Sequence, residues 1–394
     1  MDLARVYQHR LLEVVWESLG GRFPEDRIRN AFFAVPRHLF VERYRTRANP
    51  EWHTVAADLE EHLSAIYANG GLGIFYKEGD PRVATISAPY MVLSMLELLK
   101  LAPGQRVFEV GTGSGWNAAL MGYLVAPGGS VETVEIIPEL VKGARRGLRR
   151  AGVTNVEVVL GDGSLGPCSD ETPFDRAVFT AGASDIPSAL FTRVREGGLL
   201  LFVLAIPGGG SVLILFERKG PGFESRASMR CEFVPVTGTG SAAVLAPAKL
   251  ESLPAWPGLC SEILEQRPFH LSIPGPYPQS ESSPDRSVDL RSYLWLVDPG
   301  FGCFVDSEGH EAFGIYDKTE GSLALVRHQV LTTYGGWEAS NRLRHHLRSW
   351  VDSGLPGIAD LEVTAYPSGS SWSADQNRWV LTRPATCFSF GPPR

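Results

Sequence analysis

The feature that most constrains the fold is a glycine-rich stretch, EVGTGSG (109–115). The run RVFEV that leads into it predicts a short buried strand, and WNAALMGYLV after it predicts a helix. Glycine allows a ligand to approach the backbone closely, and the N-terminus of a helix presents unpaired N–H groups. The stretch therefore predicts a ligand-binding turn between a strand and a helix.

The same alternation of strands and helices extends on both sides of this turn, from the apolar helix MVLSMLELLKL to about residue 240. Further strands are predicted for SVETVEI, VEVVLGD, FDRAVFTAG, GGLLLFVLAI, SVLILFERK and MRCEFVPVTG, and helices for PELVKGARRGLRRAG and IPSALFTRV. This spacing predicts an α/β fold with a mostly parallel, doubly wound, Rossmann-like sheet of seven strands. Residues 241–394 have shorter strand-like runs around one helix and predict a smaller α+β domain, so we place a domain boundary at residues 240/241.

Charge and composition exclude several classes of function. The net charge of −7 argues against nonspecific nucleic-acid binding, which requires a basic surface. Five scattered cysteines without a CxxC pair indicate reduced thiols rather than a disulfide framework or a zinc site. No run approaches the ~18 apolar residues of a membrane span, and the N-terminus lacks a signal-peptide pattern. We therefore expect a cytoplasmic protein with no membrane contact, and no metal at the adjacent His345 and His346.

Two classes of ligand are considered for the glycine-rich turn, a dinucleotide and S-adenosylmethionine. A dinucleotide fingerprint, G-x-G-x-x-G, requires a third glycine where this chain has Trp116. The alternative spacing, E-x-G-x-G-x-G, is complete. It is typical of class I S-adenosylmethionine-dependent methyltransferases, and its residues are Glu109, Gly111, Gly113 and Gly115. An acid suits this ligand, whose amino and sulfonium groups are cationic.

Two further acids follow later strands. Glu135 ends the second strand, where a carboxylate can accept hydrogen bonds from both ribose hydroxyls, although NAD enzymes use an acid there too. Asp162, in LGDGSLG, follows the third strand and can bind the adenine amino group. Because open α/β sheets bind ligands at the carboxyl ends of their strands, these acids support a cofactor site there.

Residues from about 25 to 240 resemble the protein-L-isoaspartate O-methyltransferase family. The matching segments are AFFAVPRHLFV, ATISAPYM, VFEVGTGSGWNAAL, LGDGSLG, PFDRAVFTAGASDIPSAL, REGGLLLFV and FVPVTG. The resemblance implies methylation of the α-carboxylate of L-isoaspartyl residues by S-adenosyl-L-methionine, with S-adenosyl-L-homocysteine as product. The methyl ester then closes to a succinimide, which hydrolyses to aspartate or isoaspartate.

The resemblance also implies roles for individual residues. Ser87, in ATISAPYM (84–91), corresponds to the active-site serine, and Ala84, Thr85, Ile86, Ser114 and Gly163 join the acids and glycines above as cofactor-binding residues. A second interpretation makes Ser87 the N-cap of the following helix, since Pro89 suits a first helical turn; both can hold. Two features depart from the family pattern, namely Tyr90 and the long approach GLGIFYKEGDPRVATIS.

The C-terminal region separates the functional hypotheses. It resembles that of extended family members found beside ribosomally made peptides such as lanthipeptides and graspetides, which favours a tailoring enzyme that acts on one peptide. The alternative is a general isoaspartyl repair enzyme, and a third is a non-catalytic binding module. Each enzymatic hypothesis predicts a peptide or protein substrate carrying Asp or isoAsp. The oligomeric state and the final product are left open. A basic cluster on the predicted C-terminal helix is either a solvated face or a docking surface for an acidic peptide; it comprises Arg342, Arg344, His345, His346 and Arg348.

Overall fold

The structure is a computed structural model. It describes residues 3–21, 25–55, 58–80, 82–168, 172–208, 210–239, 247–269, 286–354, 356–370 and 378–393. The predicted proline-rich loop at 274–285 lies outside these ranges.

Helices within the described ranges are α1 (Leu3–Ser18), α2 (Asp26–Ala34), α3 (Leu59–Ile66), α4 (Pro89–Leu99), α5 (Trp116–Val125), α6 (Pro138–Arg150), α7 (Leu190–Arg193), α8 (Trp256–Leu259), α9 (Arg286–Val297) and α10 (Glu338–Asp352). The strands are β1 (Arg43–Tyr44), β2 (His53–Thr54), β3 (Leu72–Tyr76), β4 (Val83–Ile86), β5 (Arg106–Val110), β6 (Ser130–Glu135), β7 (Val156–Leu160), β8 (Phe174–Phe179), β9 (Val194–Ala205), β10 (Ser211–Lys219), β11 (Gly222–Cys231), β12 (Ala248–Lys249), β13 (Ile263–Pro268), β14 (Phe301–Val305), β15 (Glu311–Asp317), β16 (Ser322–Arg327), β17 (Val330–Tyr334), β18 (Leu361–Pro367), β19 (Trp379–Thr382) and β20 (Thr386–Pro393).

The central sheet has ten strands in the order β19-β20-β18-β11-β10-β9-β8-β5-β6-β7. Strands β5 to β9 pair in parallel, and β10 and β11 continue the sheet antiparallel. The chain crosses from β5 to β6 and β7 on one side, then returns to β8 on the other. This reversal makes the carboxyl ends of β5 and β8 the switch point at which such sheets bind ligands.

The predicted seven-stranded sheet is present as β5 to β11, but three strands from the C-terminal region extend it. Strand β18 pairs with β11, and β20 and β19 follow in antiparallel order. Apolar side chains continue the core across this junction, because Phe388 and Phe390 are fully buried in one cluster with Phe202 and Phe216. The sequence pattern missed this pairing, since alternation within β18 and β20 does not indicate which sheet they join.

Two local predictions were also wrong. The predicted strand MRCEFVPVTG ends at Cys231, and Phe233–Gly238 instead crosses the carboxyl ends of the sheet. There, Val236 N–H donates to Gly182 O at 2.8 Å, and Gly182 N–H donates to Val234 O at 2.8 Å. The predicted helix IPSALFTRV forms only the single turn Leu190–Arg193, because β9 begins at Val194.

The rest of the described C-terminal region forms a six-stranded sheet in the order β12-β14-β15-β16-β17-β13. On one face it shares an apolar cluster with α9 and α10, which includes Leu290, Leu343 and Trp350. On the other face it packs against the segment around Leu250 and Leu259. The predicted division at 240/241 remains a proposal, since residues on its C-terminal side belong to both sheets.

The basic cluster on α10 is largely paired within the fold. Arg342 binds Asp298 and Asp317, and His346 Nε2 lies 2.9 Å from Asp298 Oδ2. These contacts lower the pKa of Asp298 to about 2, against the opposing effect of its burial. Arg344 pairs with Glu265. Because these three of the five residues are paired within the fold, less charge is left for an acidic peptide, and the docking hypothesis for this face stays a prediction.

Across the described ranges, no helix is long and apolar enough to span a membrane. Within those same residues, no group of three or more His, Cys, Asp or Glu side chains is positioned to hold a metal ion.

Candidate active site

A cavity lies at the carboxyl ends of β5, β6 and β8, and we call it the strand-end cavity. It encloses about 900 Å³ of space, part of it open to solvent. Its wall is formed by the end of β4, the glycine-rich turn, the end of β6 and the segment Phe233–Thr237. Of the predicted cofactor-binding residues, eight belong to this wall: Ala84, Thr85, Ile86, Gly111, Gly113, Ser114, Glu135 and Gly163.

The glycine-rich turn requires its glycines for two different reasons. Gly111, Gly113 and Gly115 have φ values of 94°, 53° and 86°, in the left-handed region that favours glycine. A Cβ at Gly111 would also lie 2.7 Å from Thr180 Oγ1, and one at Gly115 would lie 3.0 Å from Ala144 Cβ. Gly115 is the N-cap of α5 and is not in the cavity wall, so its role is to start the helix. The turn therefore brings backbone and the first turn of α5 to the cavity.

Glu135 is the acid that the structure places in the wall. Its Oε2 accepts a hydrogen bond from Gly113 N–H at 2.8 Å, and its Oε1 accepts one from Ile137 N–H at 3.0 Å. Burial raises the pKa of Glu135, and these backbone donors oppose that rise. Each carboxylate oxygen keeps a further lone pair, so Glu135 can accept hydrogen bonds from a ligand.

Glu109 lies behind the wall rather than in it. It is fully buried, and its carboxylate accepts hydrogen bonds from Asn117 Nδ2 at 2.7 Å and from Thr133 Oγ1 at 2.6 Å. Burial raises the pKa of Glu109 to about 7, although the two hydrogen bonds lower it. From this position Glu109 touches Asn117, which does line the cavity, whereas Glu109 itself does not.

Asn117 offers an acceptor that sequence reasoning did not single out. Its Oδ1 is buried and has no hydrogen-bond partner among the described residues, while its Nδ2 is held by Glu109. A buried unpaired acceptor is unfavourable by about 1–3 kcal/mol unless a ligand or water satisfies it. Its position in the sequence could have indicated a place in the cavity wall, since Asn117 comes two residues after the last glycine of the motif, on the first turn of α5.

Asp162 is held by a segment distant in sequence. Its Oδ1 accepts a hydrogen bond from Ser164 N–H at 3.0 Å, and its Oδ2 accepts from Thr239 N–H at 2.7 Å and Thr239 Oγ1 at 2.8 Å. Burial raises the pKa of Asp162, but these donors outweigh it and leave the pKa below its usual value. Asp162 itself lies outside the wall, whereas its neighbour Gly163 lines it. In this arrangement Asp162 fixes the segment that closes one side of the cavity.

Ser87 stands where two cavities meet. A second, larger cleft, which we call the junction cleft, encloses about 2050 Å³ of space that includes open solvent. Thr85, Ser87 and Phe233 line both cavities. The Ser87 side chain is half-buried, and its hydroxyl makes no hydrogen bond with another residue that the structure describes. A ligand in either cavity can therefore reach this hydroxyl.

Capping is not the role of Ser87. The N-cap of α4 is Ala88, which makes no side-chain cap. Instead, Asn69 supplies the cap from a loop, because its Oδ1 accepts a hydrogen bond from Tyr90 N–H at 3.0 Å. Pro89 occupies the first helical turn as predicted. The capping interpretation of Ser87 was therefore wrong, and its hydroxyl is available for other contacts.

A buried arginine that sequence reasoning missed holds the backbone of Ser87. Arg37 is fully buried, and its two terminal nitrogens donate to four carbonyl oxygens, at 2.7 Å, 3.2 Å, 3.0 Å and 3.1 Å. These carbonyls belong to Ile66, Ala68, Gly70 and Ser87. Burial lowers the pKa of Arg37 to about 9. Its place in AFFAVPRHLFV was noted only as part of a family segment, because no local pattern marks an arginine whose partners lie 29–50 residues away.

Comparison with known proteins identifies the chain at this point. The sequence profile of the protein-L-isoaspartate(D-aspartate) O-methyltransferase family matches residues 12–241. The chain belongs to this family. It is 37% identical to the protein-L-isoaspartate O-methyltransferase of Pyrococcus horikoshii over 244 residues, which are 60% of this chain and 97% of the relative. It is 39% identical to the enzyme of that name from Methanopyrus kandleri over 236 residues, 59% of this chain and 91% of the relative.

A solved structure named protein-L-isoaspartate O-methyltransferase resembles this chain in fold over most of its length. It is 20% identical, has a TM-score of 0.53, and aligns with 91% of this chain and 96% of its own. The enzymes from Pyrococcus horikoshii and Methanopyrus kandleri are matched almost completely by about 60% of this chain. The family profile ends at residue 241, so the residues beyond it lie outside the family match. The α/β methyltransferase fold predicted from the sequence is thereby confirmed.

The prediction of a protein-L-isoaspartate O-methyltransferase that uses S-adenosyl-L-methionine is confirmed by this family membership. The residues that line the strand-end cavity also fit that cofactor, independently of the family match. The unpaired Asn117 Oδ1 suits a cationic amino group, Glu135 can accept hydroxyl donors, and the turn at Gly113 leaves backbone open to the cavity. The substrate implied by the family is a protein or peptide that carries isoaspartate.

Proposed function

We propose that this enzyme methylates the α-carboxylate of isoaspartyl residues in flexible segments of many proteins, with the reacting carboxylate held at Ser87. The observation that supports this is the shared lining of the two cavities by Thr85, Ser87 and Phe233. A cofactor in the strand-end cavity and a peptide in the junction cleft would meet at this boundary.

The proposed chemistry needs positioning more than proton transfer. S-adenosyl-L-methionine supplies a methyl group already activated by its sulfonium charge. A carboxylate is itself an anionic nucleophile, so orientation and a matched electrostatic environment are sufficient. In this proposal the Ser87 hydroxyl donates to one oxygen of the substrate carboxylate and leaves the other free to react. Arg37 acts on Ser87 by fixing its carbonyl at 3.1 Å.

The cofactor would be held by residues with distinct tasks. Glu135 accepts hydrogen bonds from the ribose hydroxyls, and Asn117, oriented by Glu109, accepts a hydrogen bond from the amino group of the cofactor. Ala84, Thr85, Ile86, Gly111, Ser114 and Gly163 complete the wall. The adenine contact expected of Asp162 remains a prediction, since its carboxylate already accepts donors from Ser164 and Thr239.

A second candidate is the tailoring of one ribosomally made peptide, and one observation favours it. Residues outside the family match form part of the junction cleft: Val288, Asp289, Ser292 and Ile358. A general repair enzyme has no need of such an extra wall, whereas an enzyme with a single substrate could use it for selection. A solved structure named protein-L-isoaspartate O-methyltransferase aligns over 91% of this chain, however, so the added region is compatible with both candidates.

One experiment separates these functions. The purified enzyme is given S-adenosyl-L-methionine with an unstructured isoaspartyl peptide, with its aspartyl isomer, and with a modified precursor peptide encoded beside the gene. Repair predicts methylation of the isoaspartyl peptide alone, read out as methyl ester and S-adenosyl-L-homocysteine. A strong preference for the precursor would favour tailoring. Failure of all three would contradict both proposals, and calorimetric titration with S-adenosyl-L-homocysteine would then test for a binding module.

A further inference from the structure

The junction cleft carries more information about the substrate than its contact with Ser87. Excluding open solvent, its volume is about 920 Å³, at the upper end of the ~300–1,000 Å³ typical of ligand pockets, so it can hold a short chain segment. One wall comes from residues 45–50 and the glycine cluster NGGLG (69–73), and another from the end of β11. The third comes from α9 and Ile358. A peptide held here would be contacted on several sides.

The charged residues of this cleft do not balance. Arg230 is bound by Asp289, whose side chain is only 2% exposed, so this pair contributes no free charge. The remaining charged groups in the lining are Arg45, Arg47 and Glu232. Arg47 is exposed and has no ion-pair partner among the residues described. The lining thus carries an excess of one positive charge, in a protein whose net charge is −7.

Arg45 is fixed in place without being neutralised. Its backbone exchanges hydrogen bonds with Gly73 at 2.9 Å in both directions. Its guanidinium carbon lies 4.5 Å from the Tyr76 ring centroid and 5.5 Å from that of Trp52. A Cβ at Gly73 would lie 3.0 Å from Arg45 Cγ, so glycine there gives the arginine stem its room. Aromatic rings orient a guanidinium but leave its donors free for an anion.

Two arginines in the lining of one cleft suit a carboxylate ligand, and the carboxylate that is methylated is the less favourable candidate. Methylation removes the charge of the reacting carboxylate, so a guanidinium paired with that carboxylate would lose its ionic partner as the reaction proceeds. Such a contact stabilises the ground state more than the transition state and slows the chemical step. A different carboxylate on the same peptide keeps its charge throughout, and an arginine bound to it lowers KM without this penalty.

We propose that the junction cleft selects isoaspartyl segments with a second carboxylate near the isoaspartate, and that Arg47, beside the pre-oriented Arg45, binds that carboxylate. This inference rests on the proposed function, since it assumes that the peptide occupies the junction cleft. In a protein of net charge −7, such a local positive region also offsets the general repulsion of acidic substrates.

The test compares isoaspartyl peptides that differ only by Glu or Gln at one position, scanned over two residues on either side of the isoaspartate. The wild-type enzyme should prefer a Glu peptide in kcat/KM by about three- to tenfold at low salt, and salt should reduce that ratio. The Arg47→Gln variant should bring the ratio close to one, and Arg47→Glu should invert it. Arg45→Gln should reduce it as well.

Arg43 provides a matched control. It lies on the same segment and is exposed, with its guanidinium carbon 3.8 Å from the Trp52 ring, but it does not line the cleft. Arg43→Gln removes the same charge and should leave the ratio at its wild-type value. A wild-type ratio of one at every position, or a ratio that Arg43→Gln lowers as much as Arg47→Gln, would overturn the inference. In either case methylation of the Gln peptide would show that the proposed function itself stands.

Discussion

The strand-end cavity and the junction cleft meet at Ser87, but their lining residues come from sequence ranges of different length. The lining of the strand-end cavity runs from Val83 to Thr237, entirely inside the family match at residues 12–241. The junction cleft takes its lining from residue 45 to residue 358 and includes α9, which lies outside that match. The cavity that fits the shared cofactor is thus local and motif-based, whereas the cleft that would meet the substrate depends on parts of the chain that relatives need not share.

The largest expected effect concerns Arg37, which holds Ser87 at the boundary between the two cavities. Arg37→Met leaves one buried and three partly buried hydrogen bonds to carbonyl oxygens unmade and should lower the free energy of unfolding by about 3–5 kcal/mol, measured by urea denaturation. At temperatures where the variant is folded, kcat should also fall, because the Ser87 carbonyl is released. Arg27→Met is the control: Arg27 donates to Leu101 O and Leu124 O at 2.9 and 2.7 Å but is exposed and has no contact with Ser87. Equal losses of stability and kcat in both variants would exclude a positioning role for Arg37.

A change confined to the strand-end cavity should affect the cofactor first. Glu135→Ala removes two hydrogen-bond acceptors from the wall, and the affinity for S-adenosyl-L-homocysteine should fall by about 100-fold or more in calorimetric titration. Glu132→Ala is the matched control, since Glu132 is on the same strand and is equally buried, with 6% exposure, but bonds Cys168 N–H outside the cavity. If both variants lost affinity alike, burial rather than ligand contact would explain the effect of Glu135.

A change at the shared edge should separate turnover from cofactor binding. Ser87→Ala removes a hydroxyl that has no other described partner, so we expect kcat to fall by about 100-fold while cofactor affinity changes less than about twofold. Ser94→Ala tests the specificity of this result, because Ser94 lines neither cavity and its Oγ donates to Tyr90 O within α4. Loss of cofactor affinity in Ser87→Ala, or unchanged turnover, would contradict the assignment.

The smallest effect concerns the acid behind the wall. Burial raises the pKa of Glu109 from 4.5 to about 7, so the folded chain retains a proton that the unfolded chain has released. Its contribution to the free energy of unfolding should therefore fall, by about 1–3 kcal/mol, as pH rises from 4.5 to 7. Urea denaturation of the wild type and of Glu109→Gln should show a difference that grows in favour of the variant over that interval. Parallel pH dependences would mean that Glu109 is already ionised below this range.

The difference between the two cavities also explains what could be predicted from the sequence. Gly111, Gly113 and Glu135 lie at the ends of strands whose apolar runs are unmistakable, so a local pattern placed them in one wall. Arg37 and Asn69 act on residues 29–50 and 21 positions away, and no local pattern reports such contacts.

The same limit applies to the sheet. The residues of β18 and β20 alternate as strands should, but their partner was not predictable, because pairing with β11 joins positions about 140 apart, as between Phe223 and Ala365. The family resemblance added Ser87, which no physical reading of ATISAPYM could have separated from a helix cap. It added nothing on the C-terminal wall of the cleft, since that wall lies outside the matched region.

The extension of the central sheet has a consequence for how the chain reaches its native state. Strand β11 remains an unpaired edge until residues 361–367 are synthesised and dock against it. Likewise, the hydrogen bond from Ile186 N–H to Thr386 Oγ1 can form only after 200 further residues have been synthesised. An exposed strand edge is a template for pairing with other chains, and contacts this distant in sequence form slowly. During synthesis the catalytic half would pass through a long interval in which its edge is open to neighbouring nascent chains, and chaperone protection at that stage would govern the yield of active enzyme.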